Sequence, residues 1–163
     1  SLTTTVDSSY GDDKPTRRSS SGGIVFLEHC ILLSCSRLQK VVAVSVGEAS
    51  YNALVDGVKA AMRCQYFLLE LGLDLPIVVE LDSSAAKGAA ERLGTTKIKH
   101  MQIKQMFIKS LIKDKVITLK KIGTTDNRAD LLTKGLPQQA LQHALNLLLG
   151  ICSDVGRDKL DDT

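Results

Sequence analysis

The sequence predicts a mixed α/β sheet with helices on both faces. Runs of β-forming residues gather first, and from residue 48 onward helix-spaced segments alternate with short apolar runs. The length, 163 residues without an internal repeat, suits one domain with a substantial core.

The elements follow in order. "TTTVD" (Thr3 to Asp7) is a β-branched strand that ends on an acid. "SSYGDDKPTRRSSSGG" is rich in Gly, Ser and charge and reads as a loop. "IVFL" and "ILLSCS" flank "EHC" as a hairpin, and "VVAVS" extends the β region. From Glu48 to Leu71, residues Tyr51, Leu54, Val55, Val58, Ala61 and Met62 recur at helical spacing until Gly72 stops the helix. "PIVVEL" is a strand, and a small-residue helix runs from Ser83 to Leu93 before the break at "GTT". "KIKHMQIKQMFIKSLIK" is a helix expected to pack through Ile103, Met106, Phe107 and Leu111. "KVITLKKI" is the last strand, "GTTDNRADLLTKGLP" a loop entering a helical turn, and "PQQALQHALNLLLGI" the final helix. Residues 1–152 therefore read as one domain, and residues 153–163 as a polar, disordered tail.

Composition excludes some functions. A hydrophobic content of 44% is ordinary for a globular protein, while 4% aromatic residues and no Trp argue against a platform that stacks bases. Charge is unevenly placed. Lys97 to Lys121 holds eight Lys and one acid, Asp114, a local balance of +7 against +3 for the whole chain. The remainder carries −4, and that asymmetry points to a polyanion on one side. Cys30, Cys35, Cys64 and Cys152 lack paired metal spacing, even with His29 beside Cys30, and read as small core thiols of a reducing, intracellular compartment. The apolar runs are too short to span a membrane, and no signal peptide is visible. The chain begins at Ser1 rather than Met, which reads as a piece of a longer protein.

Four acids stand at element ends: Asp7 closes the first strand, Asp82 the fourth, Glu48 opens the long helix and Asp130 opens the late helical turn. Ligand sites of open α/β sheets gather at such ends. Four converging carboxylates would repel one another unless a hard divalent cation neutralised them, and an oxygen-only set suits Mg²⁺ or Mn²⁺. The alternative is local. Asp82 is a favoured N-cap for the helix after it, Ser45 and Glu48 satisfy an S-x-x-E capping box, and Asp130 suits a helix dipole. Spacing alone leaves both readings open.

"VDSSYGDD", "RRSSSGGIVFL", "SVGEASYNAL", "VVELDSSAA", "TTKIKHMQIKQMFIKSLI" and "TTDNRADLLTKGLP" come in an order that resembles the ribonuclease H domain of copia-type retrotransposon polyproteins. The resemblance runs from Val6 to Gly150 and is most specific in "NRADLLTKGLP", "KHMQIKQMFI" and the Glu-led helix start before "YNAL". It implies a ribonuclease H-like fold, a five-stranded mixed sheet whose first three strands are antiparallel. The family's acidic positions carry over as Asp7, Glu48, Asp82 and Asp130. The implied activity is two-metal hydrolysis, with two Mg²⁺ (Mn²⁺ possible), of the RNA strand of an RNA–DNA hybrid at the end of a reverse transcriptase. Lys97, Lys99, Lys104, Lys109 and Lys113 would then track phosphates, or else form a solvated helix face. The chain departs from the family pattern at Ser50, where a second Glu is usual, at Ser83 for Asn and at Tyr10 for Trp. It also lacks the mobile His of many cellular ribonucleases H, and His100 reads as a packing or capping residue. These departures fit a silent remnant that binds nucleic acid or connects domains; the intact acids fit an enzyme.

Overall fold

A computed structural model describes residues 1–91 and 101–149 in full, and the backbone alone of residues 99 and 100. The expected 153–163 tail and Lys97 lie outside the described residues. One five-stranded sheet has the order β3-β2-β1-β4-β5, with β1 Leu2–Ser8, β2 Ser20–Leu27, β3 Cys30–Leu38, β4 Ile77–Leu81 and β5 Ile117–Lys121. The first three strands pair antiparallel, while β4 joins β1 and β5 joins β4 in parallel. Glu28, at φ 52°, turns the β2–β3 hairpin.

Helices α1 (Val46–Glu70), α2 (Ser84–Glu91) and α3 (Lys99–Lys113) supply the core on one face, and a 3₁₀ helix (Arg128–Leu132), on which α4 (Gln138–Leu149) packs, covers the other. Strand alternation sorts β1 between them: Leu2, Thr4 and Val6 face α1, and Thr3, Thr5 and Asp7 face the 3₁₀ helix. The α1 stripe of Tyr51, Leu54, Val55, Val58 and Ala61 is buried as its spacing predicts, and Gly72 ends the turn after it at φ +80°.

Three expectations are corrected. "VVAVS" is not a strand but a loop that exposes Val41, Val42 and Val44; the sheet edge has ended at Leu38, and Gln39 turns the chain inward by donating to Ala49 O. In α3, Ile103 and Met106 are exposed, whereas Met101, Gln105 and Ile108 are buried with Phe107, Leu111 and Ile112 packed beside them. The stripe at positions 101, 105, 108 and 112 follows the helical period better than one through 103 and 106. Cys30 is exposed rather than a core thiol, because it opens β3 at the edge of the sheet beside the hairpin turn.

Close approach of α1 to β1 depends on Gly57. A Cβ at that position would lie 2.1 Å from Val6 Cγ1, and Val6 is buried and β-branched, with little freedom to retreat. Gly57→Ala gains about 1 kcal/mol of helix propensity, but overpacking costs about 1–3 kcal/mol. Thermal unfolding of Gly57→Ala should therefore fall below wild type by several degrees, and Gly57→Ala/Val6→Ala should recover part of the loss. An unchanged midpoint in the single variant would contradict this packing.

Candidate metal centre

Parallel pairing of β1 with β4 sets Val6 opposite Leu81, so the next residues, Asp7 and Asp82, emerge side by side. Asp130 arrives from the 3₁₀ helix. One carboxylate oxygen from each of the three lies within 4.8 Å of the others. Asp7 and Asp130 are largely withdrawn from solvent, with side chains 5% and 13% exposed. Capping does not account for Asp82: Ser83 does that work, its hydroxyl accepting from Ala86 N–H at 3.2 Å. Two unit charges 4 Å apart repel by about 4 kcal/mol at an effective dielectric near 20, against about 1 kcal/mol for a cap. Three acids gathered this closely repel one another when ionised, and a cation among them would relieve that repulsion.

Glu48 is outside that group. Its Oε2 accepts from Val44 N–H at 2.9 Å while its own N–H donates to Ser45 Oγ at 3.1 Å, so the capping-box residues are used as caps. The N-terminus of α1 still borders the centre, since Ser50 Oγ is 3.2 Å from Ser8 Oγ, one residue beyond Asp7.

The segment around Asp130 is tied to four strands. Asn127 Nδ2 donates to Val6 O at 3.2 Å, and its Oδ1 accepts from Ala129 N–H. Arg128 pairs with Glu80 Oε2 at 3.3 Å and lies 4.1 Å over the Phe26 ring, a cation–π contact. Ser36 Oγ donates to Leu132 O at 2.6 Å. Gly22 lets the helix sit this close, because a Cβ there would meet Leu132 Cβ at 2.9 Å. Glu80, buried, also accepts from Thr5 Oγ1 and Lys120 Nζ. Burial pushes its carboxyl upward, but Lys120 and Arg128 outweigh burial and hold it below the ordinary value.

Two residues beside Asp130 complete the centre. The Thr133 hydroxyl donates to Asp7 Oδ2. Lys134 Nζ lies 2.9 Å from Asp130 Oδ1 and 3.3 Å from Asp7 Oδ2. Burial raises the Asp7 carboxyl above the usual carboxylate range despite Thr133 and Lys134, and Asp130 adds to the rise. Lys134 is raised as well: burial lowers it, but Asp130 and Asp7 prevail. Sequence reading passed over Thr133, Lys134, Asn127, Arg128 and Glu80. The i, i+4 spacing of Asp130 and Lys134 was a usable signal for one of them.

Of the lysines read as phosphate contacts, Lys104 donates to Asn52 Oδ1 at 2.6 Å and lines a hollow of about 300 Å³ with Arg37, Lys40 and Lys59. Lys113 is exposed at the last turn of α3, Lys109 lies half-buried, and only the backbone of Lys99 is described. A more apolar hollow of about 540 Å³, between α1, β3 and Phe107, is lined by none of Asp7, Glu48, Asp82 and Asp130.

This architecture is the ribonuclease H fold. It aligns with a ribonuclease H1 isolated from compost, captured in complex with an RNA/DNA hybrid, at TM-score 0.62 and 19% identity over 86% of this chain and 99% of that one. Ribonuclease H1 of Halobacterium salinarum aligns at 0.59 and 17% identity, covering 86% and 97% of the two chains. The protease–reverse transcriptase of prototype foamy virus aligns at 0.51 and 14% identity over 91% of this chain and 20% of that one. By sequence, the chain is similar to one stretch of the retrovirus-related Pol polyproteins of plant transposons. It is 31% identical over 139 residues to that of transposon TNT 1-94 of Nicotiana tabacum and 30% identical over 140 residues to that of transposon RE1 of Arabidopsis thaliana. Each match covers 84% of this chain but 10% of the polyprotein, so the chain spans about a tenth of these relatives. No protein-family model matches the chain.

Since Ser83 caps α2, Asp82→Asn should unfold in EDTA at the same or a higher temperature than wild type and gain less from added Mg²⁺. A loss of several degrees in EDTA would make Asp82 a structural residue. Glu80 has its carboxyl lowered in the fold, so it contributes stability above its unfolded value, 4.5, and loses it as pH falls through the lowered one. The melting-temperature gap between wild type and Glu80→Gln should be full near pH 7 and narrow as pH falls from 4.5 through the lowered value. A gap that does not narrow in acid would contradict the ion pairs.

Proposed function

We propose that this domain is a divalent-metal-dependent nuclease that hydrolyses the RNA strand of RNA–DNA hybrids, as the ribonuclease H part of a copia-type retrotransposon reverse transcriptase. The observation that carries the reading is the meeting of Asp7, Asp82 and Asp130, from three separate elements, within 4.8 Å at the carboxyl ends of β1 and β4. Binding nucleic acid alone would not require clustered negative charge.

The donor set fits the ions such a fold implies. Three carboxylates, with no sulfur or nitrogen ligand beside them among the described residues, favour Mg²⁺ or Mn²⁺ over softer metals. Asp7, Asp82 and Asp130 would hold them, with Glu48 as a fourth ligand once its carboxylate leaves the Val44 amide. Bound there, divalent ions supply the Lewis acidity that makes water a nucleophile at neutral pH and stabilises a departing oxygen. The chain's own part is preorganisation. Thr133 holds the Asp7 carboxylate in one rotamer, and Asn127 and Arg128 fix the approach of Asp130 to the sheet. Lys104, with Arg37, Lys40 and Lys59 around one hollow, supplies the positive surface that a hybrid backbone needs, and Lys109 and Lys113 of α3 would add to it, as would Lys97 and Lys99, whose side chains lie outside the described residues. The reverse transcriptase domain of the same polyprotein is the proposed partner, in line with relatives about ten times as long.

A second reading, a silent module that binds nucleic acid or connects domains, rests on one observation: Glu48, Ser50 and Ser83 are all engaged locally, as caps or with Ser8. Hybrid cleavage and hybrid binding, measured with and without Mg²⁺, separate the two. Asp7→Asn and Asp82→Asn should each abolish cleavage and leave binding nearly unchanged. Arg37→Ala, Lys59→Ala and Lys104→Ala should weaken binding and flatten its salt dependence by about one unit for each phosphate no longer neutralised. Wild-type protein that binds hybrid but never cuts it, in Mg²⁺ or Mn²⁺ and with polymerase supplied, would favour the silent module.

A further inference from the structure

Lys134 is placed where a metal ion would be needed. Its ammonium touches one oxygen of Asp130 and one of Asp7, two of the three carboxylates of the centre. A buried pair of acids without a cation would be costly, and Lys134 neutralises them in the protein as it stands. Yet the residue is not locked. Its side chain is 38% exposed, on a flexible four-carbon stem, and Gly135 after it has open space on its side-chain face. Asp7 also keeps its orientation without Lys134, because Thr133 donates to the same Oδ2.

We propose that Lys134 is a built-in counter-cation that holds the acidic centre together in the metal-free protein and must be displaced when a divalent ion binds. Lys134 thereby sets the metal affinity of the centre. The inference rests on the metal-centre reading above and deepens it. Only the protein population whose Lys134 has swung out can accept the ion, so apparent affinity is the intrinsic affinity reduced by that fraction. In exchange, the metal-free domain stays folded although two of its acids are withdrawn from water. Lys134 is a positioning residue in this account, acting through Asp7 and Asp130.

The test is Mn²⁺ and Mg²⁺ binding by calorimetry, together with melting temperature in EDTA and in saturating Mg²⁺, for wild type, Lys134→Met and Lys134→Arg. Lys134→Met should bind Mn²⁺ at least fivefold more tightly, melt several degrees lower in EDTA and converge on wild type in saturating Mg²⁺. Lys134→Arg, which keeps the charge, should stay close to wild type in EDTA. A purely structural lysine would lower the melting temperature equally with and without metal and leave Mn²⁺ affinity unchanged. That result, with wild type still binding Mn²⁺, overturns the role of Lys134 alone. Absence of Mn²⁺ binding in both wild type and Lys134→Met overturns the metal-centre reading and this inference together. Binding by Lys134→Met but not by wild type would support both.

Discussion

Parallel pairing of β1 with β4 is the constraint on which the rest of the molecule depends. It puts Asp7 and Asp82, far apart in sequence, on adjacent strand ends with Val6 in register with Leu81. Backbone hydrogen bonds set that separation, so the acids cannot drift apart to relieve their repulsion. A central parallel pair needs cover on both faces. The α1 face supplies it with apolar bulk held close by Gly57, and the opposite face with the 3₁₀ helix that brings Asp130. The same packing that stabilises the sheet thus assembles the charge cluster.

Repulsion within the cluster is offset by polar ties rather than by apolar burial. Beneath the three acids, toward the amino end of β4, a second buried acid sits on the same face: Glu80, satisfied by Thr5, Lys120 and Arg128. The two sites differ in what completes them. Glu80 has two cations and a hydroxyl, and its carboxyl is held below the ordinary range. Asp7 has one lysine and one hydroxyl against burial and a neighbouring Asp, and its carboxyl is pushed up. One acid is therefore a finished structural pair, and the other is an under-compensated site suited to a stronger cation.

Much of the fold was legible in the sequence because periodicity and turn chemistry are local. The strands around "TTTVD" and "PIVVEL" and the long helix stopped by Gly72 all lie where local pattern puts them. The errors came where tertiary context overrides pattern. "VVAVS" has β-branched residues but no partner strand, and the α3 stripe depends on which side α1 lies. For the centre, element-end placement drew attention to the acids, but no spacing rule could say that three of the four would meet. At Asp82 the sequence offered a cap or a ligand, and the cap is taken by the hydroxyl of its neighbour, Ser83. Thr133 and Lys134 escaped notice because their interactions with Asp7 span more than a hundred residues.

Asp7, Asp82 and Asp130 forming one divalent-cation site is the central claim. Crystals of the domain soaked in Mn²⁺ and measured for anomalous scattering would test it most directly. The predicted result is an anomalous peak contacted by all three carboxylates, with the Lys134 ammonium moved away from Asp7 and Asp130. Crystals at saturating Mn²⁺ with no peak at the three acids, and Lys134 still bridging Asp7 and Asp130, would contradict it.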